Sequence, residues 1–351
     1  MNLYEFLKPV LFLLSPECAH SLAILALKSG LFPSGKVSAS TSLKQTIWNL
    51  DFPNPVGLAA GFDKNAEVYK PMLKQGFGFV ETGTVTPLAQ AGNEKPRIFR
   101  LTEDNAVINR LGFNNKGLEY YLARLAARGK TNGIVGANIG ANKLSKDQIE
   151  DYVISLKRLL GLADYFTINI SSPNTPGLRA LQGKEALDEL LSKLKAVRDQ
   201  AGLERNPPLI LKIAPDLNDQ ECADIAEIIL KHKMDGLIVS NTTLSRPKLI
   251  SSFKDEAGGL SGAPLFELST EILSKMYKLT SGKIPLIGVG GVSNGEQAYA
   301  KIKAGASLIQ LYSALVYHGP GLVRKINREL EELLKKDGFR NIAEAIGIDH
   351  K

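Results

Sequence analysis

Cysteine is almost missing from this sequence. Cys18 and Cys222 are the only two, too few for a disulfide framework, and such usage points to a reducing compartment. Cys222 shares an apolar helical stripe with Ile225, Ala226 and Ile229, a spacing that suits core packing rather than catalysis. Histidine is equally sparse. His20, His232, His318 and His350 lie far apart with no ligand-like spacing, so no metal site is expected. No stretch reaches the roughly 18–20 apolar residues of a spanning helix. The run "PVLFLL" (9–14) lacks the basic start and small-residue cleavage site of a signal peptide. An early G-x-G-x-x-G fingerprint is absent, which argues against an open dinucleotide-binding sheet. Lys and Arg are scattered without interleaved aromatics, so nucleic acid is not an expected partner. No internal repeat or low-complexity tract occurs.

What is present reads as a large globular core: 351 residues, 44% hydrophobic and 23% charged. The formal charge of +7 suits an anionic partner such as a phosphate cofactor or an acidic membrane surface. From about residue 50, apolar runs alternate with amphipathic helical patterns. The runs are "NPVGLAAG" (54–61), "FGFVETGT" (77–84), "IVGANIGA" (134–141), "YFTINISS" (165–172), "PLILKIAP" (208–215), "GLIVSN" (236–241), "PLIGVGG" (285–291) and "SLIQLYS" (307–313). Helices are expected near 65–75, 116–129, 147–161, 185–201, 219–232, 266–280, 295–304 and 320–335. Eight strands, each followed by a helix, predict an α/β fold, a (β/α)8 (TIM) barrel. After the second strand, "PRIFRL" and "AVINRL" alternate like a hairpin turning at Asp104-Asn105.

Chemistry in such barrels sits at the carboxyl ends of the strands, and polar residues collect there. They are Lys64, Glu81 to Thr84, Asn138, Asn169 with Ser172, Lys212, Ser240 with Asn241, and Tyr312 with Ser313. Each alone could cap a helix or fill a turn. Ser172 could be a turn hydroxyl, and Lys212 a strand-end lysine snorkelling to water. The stretch "INISSPNTPG" (168–177) is the sharpest case, because asparagine is depleted in strands and an unpaired buried amide is costly. A bound ligand pairing these groups is the expected resolution. "GVGG" (288–291), followed by Ser293 and Asn294 as possible caps, and "LYS" (311–313) suit a phosphate held on backbone N–H groups. "GGLSGAPL" (258–265) reads as a further glycine-rich turn before a helix. A flavin mononucleotide would fit, with its phosphate at strands seven and eight.

Taken in order, "NPVGLAAGFDKN" (54–65), "ETGTVTP" (81–87), "NRLGFNN" (109–115), "NISSPNTPGLR" (169–179), "KIAPDL" (212–217), "NTT" (241–243) and "IGVGG" (287–291) resemble dihydroorotate dehydrogenases of the membrane-associated, quinone-reducing class. The similarity runs from about residue 3 to the end. It departs at Ala263 in "LSGAPL", where a basic residue is common, although no proposed catalytic group is involved. The resemblance implies oxidation of dihydroorotate to orotate in pyrimidine synthesis, with FMN receiving a hydride and a membrane quinone as final acceptor. It makes Ser172 the base. Substrate contacts carried over are Lys64, Asn109, Arg110, Leu111, Gly112, Phe113, Asn169, Asn174, Asn241 and Thr242. FMN contacts are Ala60, Gly61, Thr84, Asn138, Asn169, Lys212, Ser240, Gly262, Gly291, Tyr312 and Ser313. An amide-rich wall suits a flat diimide ring, and a lysine suits its carboxylate. The loop from Pro173 to Gly183 is expected to close over substrate. Two rival readings are a different FMN barrel oxidoreductase acting on a hydroxy acid, for which a histidine base at a strand end would be usual, or on another pyrimidine, and a non-catalytic membrane-binding protein on a relic barrel. No strand-end histidine exists to support the first.

The domain reading is a 1–40 extension with a Gly/Pro/Ser-rich link (29–40), then a 41–351 catalytic barrel. Leu3, Phe6, Leu7, Val10, Leu11 and Leu14 follow helical spacing, with Pro9 expected to kink or restart the helix. Ser15 should cap a second segment with Pro16 at its first position. Two such helices are too short to span a bilayer but can lie in its interface. By the resemblance they form the quinone entrance, with His20 and Arg100 beside the head group. The protein would then sit peripherally on the cytoplasmic face of a bacterial inner membrane.

Overall fold

Short β-branched runs alternate with amphipathic segments, and the chain follows that alternation. The computed structural model describes residues 3–30, 40–129 and 133–351. Helices α1 (Leu3–Leu13) and α2 (Pro16–Lys28) precede a hairpin of β1 (Gln45–Ile47) and β2 (Leu50–Phe52). The barrel then begins with β3 (Val56–Leu58), α3 (Tyr69–Lys74) and β4 (Phe79–Val85). An inserted hairpin, β5 (Ile98–Leu101) and β6 (Ala106–Asn109), leads to α4 (Leu118–Ala126). Next come β7 (Ile134–Ile139), α5 (Gln148–Leu159), β8 (Tyr165–Asn169) and α6 (Lys184–Asp199). They are followed by β9 (Leu209–Ile213), α7 (Asp219–Lys231) and β10 (Gly236–Val239). After β11 (Gly259–Gly262) the chain continues through α8 (Phe266–Leu279), β12 (Leu286–Val289), α9 (Gly295–Lys303) and β13 (Ala306–Leu311). It finishes with α10 (Ala314–His318) and α11 (Leu322–Lys336).

The eight strands β3, β4, β7, β8, β9, β10, β12 and β13 close into a barrel, with every neighbouring pair parallel. This is the expected (β/α)8 architecture. Several helix starts are written locally: Asp147 caps α5, Asn218 and Glu221 form a capping box on α7, and Asn294 caps α9.

Strands β5 and β6 pair antiparallel across the expected turn, with Asn105 at φ 48. They also gain a third partner. "GGLSG" pairs with β6 as β11 rather than forming only a turn, because the register at Gly259↔Asn109 and Gly262↔Ala106 rests on backbone groups that glycine supplies as well as any residue. Pro9 does not restart α1, which runs through it. The loss is confined to one bond, to the carbonyl of Glu5 in the exposed first turn. Ser15 caps α2 as expected, accepting from the Cys18 N–H at 3.3 Å. Most of the expected link (31–39) lies outside the described residues.

The barrel floor is apolar. Ile47 and Phe52 of the β1–β2 hairpin pack with Phe79, Ile134, Tyr165, Ile210, Ile238, Ile287 and Leu308, which stopper the amino-terminal end. The Phe52–Phe79 ring centroids lie 5.4 Å apart, edge to face. A second and larger apolar layer lies between strands and helices. Among the described residues, the open end of the barrel is therefore the carboxyl mouth.

Helices α1 and α2 lie beside that mouth. Leu27 is buried, and Glu17 ties α2 to the inserted hairpin through Arg97 at 2.6 Å. Lys28 reaches Glu67 at 3.1 Å. Phe6, Leu13, Leu14 and Leu25 remain exposed outside the cavity, Leu13 by 86%, while Leu7, Val10 and Leu22, also exposed, line it. The hairpin thus packs on the barrel by one face and leaves the other apolar and open.

Candidate active site

Side chains two apart on a strand face the same way, so Phe79 of β4 belongs to the floor and Glu81 stands above it. Glu81 is fully buried. Its carboxylate accepts hydrogen bonds from Asn138 Nδ2 (2.7 Å), Gln310 Nε2 (2.8 Å), Thr167 Oγ1 (3.0 Å) and Tyr165 Oη (3.2 Å). These donors come from β7, β13 and β8. Lys212 of β9 is also buried, which overturns the snorkelling alternative. Burial pushes its pKa down, and the negative charge of Glu81 opposes that shift. Among the described residues the Lys212 ammonium makes no ion pair within 4 Å, so it faces the site as a positive charge.

An amide network rises from Glu81 to the mouth. Asn138 Oδ1 accepts from Thr84 Oγ1 (2.5 Å) and from Asn169 Nδ2 (3.2 Å). Asn169 Oδ1 accepts from Ser171 Oγ (3.1 Å) and Asn241 Nδ2 (3.3 Å), and Asn241 Oδ1 accepts from the Thr242 N–H (2.8 Å). Asn174 Nδ2 donates to the Asn109 carbonyl at 3.1 Å. The side chains of Asn169, Ser171, Asn174 and Asn241 are therefore paired within the protein itself, and the expectation that a ligand must pair them is corrected; Thr175 Oγ1 alone in this stretch keeps no partner among the described residues. Arg179 fastens the surrounding loops, donating to the Ser171 and Thr242 carbonyls and to Asp216 at 2.9 Å.

A cavity of about 1010 Å³ opens above this network and runs to the N-terminal helices. It is lined by every residue carried over by motif except two. Arg110 turns away, pairing with Glu256 at 2.7 Å and lying over the Phe99 ring. Asn138 lies beneath the cavity, spent on Glu81 and Asn169. Sequence reasoning missed Gln310, which also lines it, as does Gly290 of the GVGG phosphate reading. The signal for Gln310 was there: a polar residue inside a buried strand run, as for Lys212.

Ser172 is buried, and its Oγ accepts the Asn174 N–H at 3.2 Å. Thr175, three residues on, has a buried hydroxyl with no partner among the described residues. Burial holds Lys64 down to about 8, opposed by Glu17 and Asp63. At the other end of the cavity, His20 meets Phe62 edge to face at 5.3 Å and lies 3.5 Å from Tyr312 Oη. Arg100 lines the same end, but its guanidinium donates to the carbonyls of Leu11 and Phe12 at 3.3 Å and of Leu14. It closes the carboxyl end of α1, a favourable place for a cation.

The phosphate reading of strands seven and eight has a geometric counterpart. The N–H groups of Gly290, Gly291, Tyr312 and Ser313 have no acceptor among the described residues. Gly291 has φ 74 and packs directly against the backbone N of Phe266, where a Cβ would collide. The loop therefore sits on the first turn of α8, whose N-terminal end lines the cavity.

A closed barrel with a polar mouth, an internal lysine and unbonded backbone donors defines a ligand-transforming (β/α)8 enzyme. The particular family follows from comparison. The dihydroorotate dehydrogenase family profile matches residues 42–334. A dihydroorotate dehydrogenase (quinone) of Azorhizobium caulinodans is 53% identical over 354 residues, covering 99% of each chain. That of Sinorhizobium fredii is 56% identical over 337 residues, covering 95% of this chain and 93% of the relative. The crystal structure of the Eimeria tenella DHODH in complex with ferulenol superimposes with a TM-score of 0.92 at 42% identity, covering 96% of both chains. The chain belongs to the dihydroorotate dehydrogenase family.

His20 yields a pH prediction. Burial first, then the nearby Lys64, lowers its pKa to about 3, against a weaker opposing effect of Glu17. The unfolded chain, with an ordinary histidine near 6.5, then binds more protons than the folded one between these values. Stability should fall as pH drops below about 6.5, by at most ~1.4 kcal/mol per pH unit from this group. Denaturant midpoints of wild type and His20→Asn across that window should converge at low pH; parallel curves would refute it.

Proposed function

We propose that this enzyme oxidises dihydroorotate to orotate with FMN as hydride acceptor and a membrane quinone as final oxidant. The observation that carries the reading is one continuous cavity. It joins Ser172, Lys64 and the amide wall to the unbonded N–H groups of the β12 and β13 loops, and then to His20. Full-length similarity to quinone-class relatives supports the same assignment. The residues present fit FMN: Gly291, Gly290, Tyr312 and Ser313 offer donors for its phosphate, and Lys212 offers a cation for the pyrimidine edge of its ring. When bound, FMN supplies the two-electron acceptor for the hydride at substrate C6.

The chain's own groups do the rest. Lys64 faces the substrate carboxylate, and Asn109, Asn174 and Asn241 present amides to the ring. Asn174 is held by the Asn109 carbonyl, so its orientation is set before substrate arrives. Ser172 Oγ takes the proton from C5. A serine is a weak base unaided, and two features help it. Its burial excludes bulk water, and the unpartnered Thr175 hydroxyl nearby offers the proton an onward route. Lys212 keeps a positive charge beside the site that the distant carboxylate of Glu81 balances but does not neutralise by contact.

The extension is read as a peripheral membrane contact on the cytoplasmic face of a bacterial inner membrane. Phe6, Leu13, Leu14 and Leu25 are exposed outside the cavity, and no described helix is long and apolar enough to cross a bilayer. They suit interfacial insertion. Residues 1–40 then form a docking and entrance segment, with His20 and the Arg100-anchored end of α1 beside the quinone path.

Ser172→Ala should retain flavin and bind orotate yet reduce its flavin about 10²–10⁴-fold more slowly. Near-normal single-turnover reduction would remove Ser172 from the chemistry. Lys64 sets a pH dependence of its own. With a free-enzyme value of about 8, its charge is present below that pH and is lost as pH rises through and beyond it, so orotate affinity should weaken over the same range. Lys64→Ala should lose roughly 1.5–3 kcal/mol of orotate binding together with that pH dependence; flavin difference spectra report both. The double substitution Leu13→Asn, Leu25→Asn should abolish co-sedimentation with anionic liposomes while leaving flavin reduction by dihydroorotate unchanged. Undiminished liposome binding would return the helices to a purely packing role.

A further inference from the structure

Lys301, in the last turns of α9, takes no part in the chemistry above, yet it is fully buried. Its stem runs beside the β12 backbone, where a Cβ on Gly288 would come within 3.1 Å of Lys301 Cδ. The ammonium donates to Ser269 Oγ at 2.8 Å and to Thr270 Oγ1 at 2.9 Å, in the first two turns of α8, and lies 5.1 Å from the Phe266 ring centroid. Ser269 Oγ in turn lies 3.0 Å from the Phe266 carbonyl and 3.1 Å from the Gly290 carbonyl, which share its one hydroxyl proton. The charge therefore stands one hydroxyl behind the glycine loop whose N–H groups open into the cavity.

A buried ammonium normally has a carboxylate partner. Lys301 has none within 4 Å among the described residues, and burial alone lowers its pKa, to about 7. No acid or base on α8, β12, β13, α11 or the segment 342–345 perturbs it. Among the described residues no compensating negative charge reaches it, while three positive features converge on one end of the cavity: this ammonium, the start of α8 and the unbonded N–H groups.

We propose that Lys301 is the buried counter-charge for a phosphate monoester seated on the Gly290–Gly291 loop, a role that rests on the FMN reading. It acts through Ser269 and the loop rather than by touching the phosphate, and so is a positioning residue. Phosphate binding raises the affinity of Lys301 for its proton, and loss of that proton at high pH loosens the phosphate.

The test follows release of FMN from intact holoenzyme, through the rise in flavin fluorescence, at about pH 7 and about pH 9. Wild type should release FMN about tenfold faster at the higher pH. Lys301→Met, which keeps the stem but not the charge, should release it about tenfold faster than wild type at the lower pH and change little with pH. The ³¹P resonance of bound FMN should also move in the variant. Equal release by both proteins, or an unmoved resonance, overturns the proposal. Should the variant not fold, the wild-type profile decides, and release that does not change between the two pH values overturns it. Inorganic phosphate separates this inference from the flavin assignment. Thermal stabilisation of wild type by phosphate at about pH 7, lost at about pH 9, upholds Lys301 even for a protein that purified without flavin. No stabilisation overturns it.

Discussion

The carboxylate of Glu81 holds the upper barrel together. It stands on the axis with the apolar floor below and the reactive mouth above, and four donors from three other strands converge on it. A buried carboxylate is expensive unless it is fully hydrogen-bonded, so this one dictates its surroundings. Asn138, Thr167, Tyr165 and Gln310 must each present a donor at a fixed place, and their strands are locked in register as a result. Lys212 then has a reason to be inside: it lies in the field of Glu81 without being quenched by direct contact. Everything nearer the ligand hangs from that layer, since Asn138 orients Thr84 and Asn169, and Asn169 orients Ser171 and Asn241.

This arrangement changes the account of the polar strand ends. They are a self-satisfied network with free valences at its top, not a set of orphans waiting for substrate. Pre-pairing keeps the amides from collapsing onto one another or onto water, so the groups that face the cavity arrive already aimed. The contrast with the β12 and β13 loops is instructive. There the backbone donors are unpaired, and glycine with its positive φ keeps them accessible. One end of the cavity is organised by internal hydrogen bonds and the other by their absence.

Much of this was legible in the sequence. The eight runs and their helices were visible as continuous apolar stretches alternating with amphipathic ones, and the order of motifs carried the family. Asn294 and Ser15 announced their helices by residue type. What escaped were features whose cause lies elsewhere in the chain. The β1–β2 hairpin turns on Trp48 and Asn49, both with positive φ, and no glycine marks it. Trp48 tolerates that backbone because its ring packs on Phe52 and Tyr165 and its Nε1 donates to the Asp235 carbonyl at 2.6 Å. Strand β11 hid in a glycine-rich stretch, since glycines are depleted in strands and a backbone-only ladder leaves no side-chain signature. Arg110 sat in a motif beside true cavity residues, yet alternation along an extended chain sends neighbours to opposite sides. Its salt bridge to Glu256 could not be read from spacing, because 146 residues separate the two.

The stoppered floor has a consequence for the protons of the layer above it. Tyr165 Oη, Thr167, Gln310 and Lys212 lie between an apolar plug and the cavity at the carboxyl mouth. Among the described residues, the cavity offers their exchangeable hydrogens a route to bulk solvent on the mouth side. Whatever occupies the mouth therefore acts as a valve on isotope exchange deep in the barrel, and the inner polar layer keeps a record of how often the site stands empty.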